Sequence, residues 1–120
     1  MPIQTATIYH NTKCSKSIAA LNLLLEHGVE VDIVNYLETP LSLETLKNLI
    51  RQLDIEAKQL IRFAEPVAKE LKLSINDSRD DNAWLLLMQK NPILIERPIV
   101  VSNNKTVIGR PPELVLNLFT

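Results

Sequence analysis

At 120 residues and 13.6 kDa the chain has the length of a single domain. Its 46% hydrophobic and 22% charged residues are a globular composition, not a disordered one. Thirteen Lys and Arg against fourteen Asp and Glu leave a net charge of −1, so no broad positive field points to nucleic acid or an anionic membrane.

The scarce residues exclude more. Gly28 and Gly109 are the only glycines, so neither a G-x-G-x-x-G turn nor a phosphate-cradling P-loop can be built. Cys14 is the only cysteine, which rules out an intrachain disulfide and, with two histidines, a Cys-rich zinc site; no metal is expected. The longest apolar run, from Ala83 to Met88, falls far short of the ~20 residues of a membrane span. Gln4, His10, Asn11 and Lys13 stand where a signal peptide needs apolar residues, so the predicted compartment is the cytoplasm, where a lone thiol stays reduced.

Thr5, Thr7, Ile8 and Tyr9 predict a first strand over 5–10, followed by a polar turn at Asn11, Thr12 and Lys13. From Cys14 onward Ile18, Leu21, Leu24 and Leu25 recur at helical spacing, and Gly28 suits the helix end. Residues 31–36 alternate as a second strand, completing a βαβ unit with parallel strands. Ser42 caps a predicted helix with Leu43, Leu46, Leu49, Ile50 and Leu53 on one stripe. Short helical pieces follow at 58–61 and 65–71. Ser78-Arg79-Asp80-Asp81 reads as a capping box for a helix through Trp84, Leu87 and Met88, stopped by Asn91-Pro92. Strands at 99–101 and 106–108 flank a hairpin turn, and Pro111-Pro112 open a last helix with Leu114, Val115 and Leu118 inward. The expectation is one α/β domain over 1–120: a mixed sheet of about four strands, βαβ … ββα, with a helical insertion at about 42–91.

Cys14 falls where the first strand hands over to the first helix. It reads either as a small buried hydrophobe or as a nucleophile. Its polar neighbours Asn11, Thr12, Lys13, Ser15 and Lys16 argue against burial, and a helix N-terminus offers free amides and a positive dipole end to a thiolate. The dipole is worth about 0.3–1 kcal/mol and one pKa unit is about 1.4 kcal/mol, so full ionisation at neutral pH needs additional cations. His10, four residues upstream, is either a satisfied strand-end histidine or an imidazolium or donor that lowers the thiol pKa. Among the arginines, Arg62 follows Leu60-Ile61, Arg97 precedes Pro98, and Arg110 lies between Gly109 and Pro111. Each has an ordinary reading, as an ion pair or a surface residue. The alternative is a set of guanidinium groups gripping an oxyanion through paired hydrogen bonds. Ala20 stands where a Cys-x5-Arg phosphatase loop needs arginine, and Ser17 where a Cys-x-x-Cys dithiol needs its second cysteine.

Together these segments resemble a known family. Tyr9-His10-Asn11-x-x-Cys14-Ser15-Lys16-Ser17 is similar to the active-site loop of the glutaredoxin-coupled arsenate reductases, the ArsC family, which have a thioredoxin-like fold. The likeness continues through Tyr36-Leu37, Leu60-Ile61-Arg62, the run from Pro92 to Val101, and Ile108-Gly109-Arg110-Pro111-Pro112-Glu113. The resemblance implies reduction of arsenate to arsenite in arsenic detoxification. Cys14 would form a thiol–arsenate adduct, His10 would help keep it ionised, and Arg62, Arg97 and Arg110 would hold the oxyanion with help from Ser15 and Lys16. It further implies glutathione as reductant, glutaredoxin as partner, no bound cofactor, and a cis peptide before Pro98. Thr12 departs from the proline common in the family's loop, which implies a looser turn. Two alternatives share the fold. Spx-type regulators bind RNA polymerase and carry a Cys-x-x-Cys switch that Ser17 interrupts; a glutathione-dependent thiol reductase would need Cys14 but not all three arginines.

Overall fold

The computed structural model describes residues 3–119. The chain divides into two compact units, Met1–Thr39 with Arg97–Thr120, and Pro40–Glu96. The second is wider at both ends than the helical stretch predicted at 42–91.

The first unit is built on a four-stranded mixed sheet, the α/β architecture expected from the sequence. Its strands are β1 (Thr5–His10), β2 (Glu30–Asn35), β3 (Ile99–Ser102) and β4 (Lys105–Ile108), in the order β2-β1-β3-β4. β1 and β2 run parallel, with Thr5 opposite Glu30 and His10 opposite Asn35. β3 lies antiparallel to both β1 and β4. The βαβ crossover is α1 (Ser15–Glu26), which ends at Gly28 with φ +73°, a conformation glycine adopts without penalty. β1 alternates, so Ala6 and Ile8 face the helices. There they join Ala20, Leu24, Val29, Val100 and Val115 in one buried cluster. At the β3–β4 turn Asn103 and Asn104 both take positive φ, 52° and 62°, as a two-residue hairpin requires.

Several expectations shift. β2 begins at Glu30, whose amide bonds to Gln4 O at 2.9 Å, and Tyr36 lies wholly buried beyond its end. The final helix is a 3₁₀ helix, Pro112–Phe119. Its period of three sets Val115 and Leu118 on one row and Leu116 and Phe119 on the next, and these pack on the core in place of Leu114. In α1 the predicted stripe is rotated: Ile18 and Leu25 are exposed, while Ser17, Ala20 and Leu24 are buried.

The second unit holds α2 (Leu43–Leu53), α3 (Pro66–Glu70) and α4 (Asp81–Lys90), with 3₁₀ turns at Ala57–Leu60 and Pro92–Leu94. Ser42 caps α2 by accepting from Thr45 N at 3.1 Å, as predicted. The cap of α4 is Asp80, accepting from Ala83 N at 2.9 Å, and no Ser78 capping box starts this helix. Asp81 instead accepts from Ala57 N at 3.2 Å, tying α4 to the first 3₁₀ turn. Segments 60–62 and 94–96 are laced by Arg62 N to Leu94 O and Glu96 N to Leu60 O, at 2.7 and 2.8 Å.

Candidate active site

Sheet register explains why distant residues meet around Cys14. Tyr9 pairs with Ile99, and β3 runs antiparallel to β1, so the chain leaving β1 emerges beside the residues entering β3. Ile99 also pairs with Ile108, so the segment leaving β4 emerges there too. Residues 10–14, Arg97-Pro98 and Gly109-Arg110 therefore share one end of the sheet. The peptides Arg97–Pro98 and Arg110–Pro111 are both cis; the ArsC resemblance implied the first, and the second was not expected. Gly109 N donates to Pro98 O at 2.8 Å and Arg110 Nε to Arg97 O at 2.7 Å, which aims the Arg110 guanidinium.

Cys14 is the N-cap of α1, extended at φ −97° and ψ 120°, and half-exposed. Burial by itself would push the thiol up. Four groups outweigh it and bring the thiol below its ordinary value: the Ser17 amide, a hydrogen bond from the Arg97 side chain, the Lys16 amide, and the charge of Arg110. Arg110 Nη2 lies 3.7 Å from the sulfur. The additional cations that the dipole arithmetic demanded are thus two guanidinium groups, one of them on the buried Arg97.

The turn before Cys14 is closed by Asn11, itself buried. Its carbonyl accepts from Cys14 N at 3.1 Å, and its Oδ1 accepts from Lys13 N at 2.9 Å. Thr12 is exposed in this turn. Ser15 and Lys16 are exposed in the first turn of α1, and Lys16 acts on the sulfur through its amide. His10 is buried, its Nδ1 2.6 Å from Ser17 Oγ. Burial lowers the imidazole pKa from its ordinary value, which favours the uncharged ring. The observed partner of His10 is Ser17, whose amide in turn acts on the Cys14 sulfur. Arg62 belongs to the second unit, where Nε pairs with Glu65 at 3.3 Å and Nη1 with Glu96 at 3.4 Å. The structure thus brings Cys14, Arg97 and Arg110 together.

Asn11 and Ser17 have no individual role in the sequence reading, although both stand in the loop motif on which the ArsC resemblance rests. The available signal was Ser17 itself, a polar residue at the spacing of Ala20 and Leu24 on the buried face of α1. A cavity of about 800 Å³ lies at the other end of β1, lined by Thr5, Thr7, Glu30 and Asp32 among others; its carboxylates disfavour an anion. Among the described residues no cluster of three His, Cys, Asp or Glu is placed to hold a metal ion, and no helix is long and apolar enough to cross a membrane.

A model of the ArsC family matches residues 9–118. The chain belongs to the ArsC family. Its relatives include the uncharacterized protein YfgD of Escherichia coli K12, 50% identical over 92% of this chain and 93% of that one. An arsenate reductase of Neisseria meningitidis is 43% identical over 88% of this chain and 91% of its own length. Among solved structures, an arsenate reductase from Vibrio cholerae superposes with a TM-score of 0.92 at 43% identity, covering 98% of this chain and all of that one. The thioredoxin-like arrangement expected from the ArsC resemblance is the one observed, and the cysteine–arginine cluster lies within the matched residues.

Proposed function

We propose that this protein is a cytoplasmic oxidoreductase that reduces arsenate to arsenite, with glutathione as reductant and glutaredoxin as partner. One observation carries the reading: the sulfur of Cys14 lies 3.7 Å from Arg110 Nη2 and accepts from Arg97, so nucleophile and anion-binding cations share one place. The family's named arsenate reductases supply the substrate.

In the first step the Cys14 thiolate attacks arsenic and displaces one arsenate oxygen, which leaves as water after protonation. Arg97 and Arg110 hold the remaining oxygens and offset their charge, and the resemblance adds Arg62 to this role. The amides of Lys16 and Ser17, which support the sulfur before reaction, are donors for the adduct's oxygens afterwards. Glutathione thiolate then attacks the Cys14 sulfur, and the sulfur–arsenic bonding pair passes to arsenic. Arsenic leaves as arsenite, two electrons richer, and Cys14 is left in a mixed disulfide with glutathione. With no second cysteine in the chain, that disulfide must be reduced from outside, which is the part assigned to glutaredoxin. No bound cofactor is required, and no nucleic acid or membrane takes part.

The test is NADPH consumption in a coupled assay containing arsenate, glutathione, glutaredoxin and glutathione reductase, which spends NADPH on the glutathione disulfide formed. Turnover should vanish in Cys14→Ser and fall about 10²–10³-fold in Arg97→Ala, the usual loss when one group stabilising an oxyanion is removed. Well-folded wild type that consumes no NADPH on arsenate addition would refute the reading. Specific capture of RNA polymerase by such an inactive protein would favour the regulator instead, and reduction of small disulfides alone would favour the thiol reductase.

A further inference from the structure

Ser17 sits at the third position of α1 and is completely buried, on a helix face otherwise lined by Ala20 and Leu24. Its hydroxyl has two neighbours. Asn11 N donates to Ser17 Oγ at 3.1 Å, and His10 Nδ1 lies 2.6 Å from the same oxygen. A main-chain amide can only donate, so Ser17 Oγ accepts there; the hydroxyl's own proton goes to His10 Nδ1 in the tautomer whose ring proton is on Nε2. That assignment requires an unprotonated Nδ1, which agrees with burial favouring the uncharged ring.

The same residue reaches Cys14 by two routes. Asn11, held by the Ser17 hydroxyl, accepts from Cys14 N through its carbonyl, while the Ser17 amide acts on the Cys14 sulfur. Ser17 therefore closes a ring through Asn11 and Cys14, and the hydroxyl anchors that ring to His10 at the end of β1.

We propose that Ser17 is a positioning residue: its buried hydroxyl, bridging Asn11 N and His10 Nδ1, holds the β1–α1 turn so that the Cys14 sulfur faces the helix amides. The catalytic group remains Cys14. His10 contributes as the neutral acceptor that orients this hydroxyl. The proposal rests on the thiolate chemistry above only for its meaning in turnover, because its tests need no arsenate.

Ser17→Ala leaves Asn11 N and His10 Nδ1 without their partner and frees the turn. Ultraviolet titration of the thiolate should then shift upward by about one pKa unit, while Ser17→Thr, which keeps the oxygen, should titrate close to wild type. A folded Ser17→Ala protein with an unshifted titration would overturn the proposal. Should Ser17→Ala fail to fold, nitrogen-15 NMR of wild-type His10 decides: the proton must reside on Nε2 at neutral pH, and a protonated Nδ1 refutes the hydroxyl's direction. Arsenate turnover by Ser17→Ala should recover as pH is raised. Wild type that lacks turnover but holds the Nε2 tautomer, together with the titration shift in Ser17→Ala, would sink the reductase reading and leave this one standing.

Discussion

Replacing Gly109 by alanine tests how tightly the cluster of Cys14, Arg97 and Arg110 is built into the fold. A Cβ at this position would lie 2.8 Å from Pro98 Cγ and 3.0 Å from Val115 Cγ1, inside ordinary van der Waals contact. Neither neighbour can retreat easily. Pro98 is a buried ring, and Val115 belongs to the core between the sheet and the helices. Something must therefore move by several tenths of an ångström, an overpacking that costs about 1–3 kcal/mol. For a domain of this size the melting temperature should drop by roughly 4–12 °C. The movable element is the segment 109–110, held by Gly109 N on Pro98 O and Arg110 Nε on Arg97 O. Displacing it withdraws the Arg110 guanidinium from Cys14, so the thiol titration should rise with the loss of stability. Calorimetry and ultraviolet titration of Gly109→Ala measure both. A melting temperature within about 1 °C of wild type together with an unchanged thiol would refute the close-packing argument.

Removing Arg110 itself has a simpler expected effect. At 3.7 Å a unit charge contributes about 1 kcal/mol in water-like surroundings, and Cys14 is half-exposed, so Arg110→Ala should raise the thiol pKa by about 0.5–1 unit; Arg110→Lys should raise it less, and an unshifted Arg110→Ala titration would contradict the contact. Asn11→Ala removes the acceptor for Lys13 N, and urea denaturation should show a loss of about 1 kcal/mol, against no loss if the turn closes without it. Stability should rise with pH. Both His10 and Cys14 titrate lower in the folded chain than in the unfolded one, so the native state binds fewer protons in two windows, one ending near pH ~6.5 and the other near ~8.5. Acidification through each folded pKa removes that contribution, and denaturation midpoints that fall with rising pH would reverse the assignment.

The strands, the cap of α2 and the half-exposed thiol at the head of α1 were legible because these are local signals: β-branched runs, a serine before an apolar stripe, a cysteine among polar residues. The sequence also marked Arg97 and Arg110, since each stands beside proline at a strand end. The sequence could not rank them, because the distance from Arg110 to Cys14 depends on two ladder registers and not on spacing. His10 shows the other limit. Its proximity to Cys14 left a satisfied strand-end histidine and a charged or donating partner both open, and the burial that lowers its pKa is a property of the packed state. Ser17 was hidden by a helical stripe that seemed to run through Ile18 and Leu25. Those two side chains face outward because α1 turns its serine toward the end of β1.

That rotation shows why an otherwise ordinary helix carries a polar residue on its inner face. A strictly apolar stripe would bury Ile18 in place of Ser17 and gain roughly 1.5–3 kcal/mol of transfer energy. It would also point a different amide at the sulfur and leave Asn11 N and His10 Nδ1 without an acceptor and a donor in a buried place, at about 1–3 kcal/mol for each group. The two sides are comparable, so hydrophobicity alone does not choose the rotation; the polar bonds at the head of α1 do. Along the rest of α1 the cost is small, since Leu24 stays wholly buried and Leu21 and Leu23 still pack on the core. On the proposed function, the near-neutral chain needs no bulk positive charge to hold an anion. It needs one helix turned to the right face and two arginines delivered by the sheet registers to the same end.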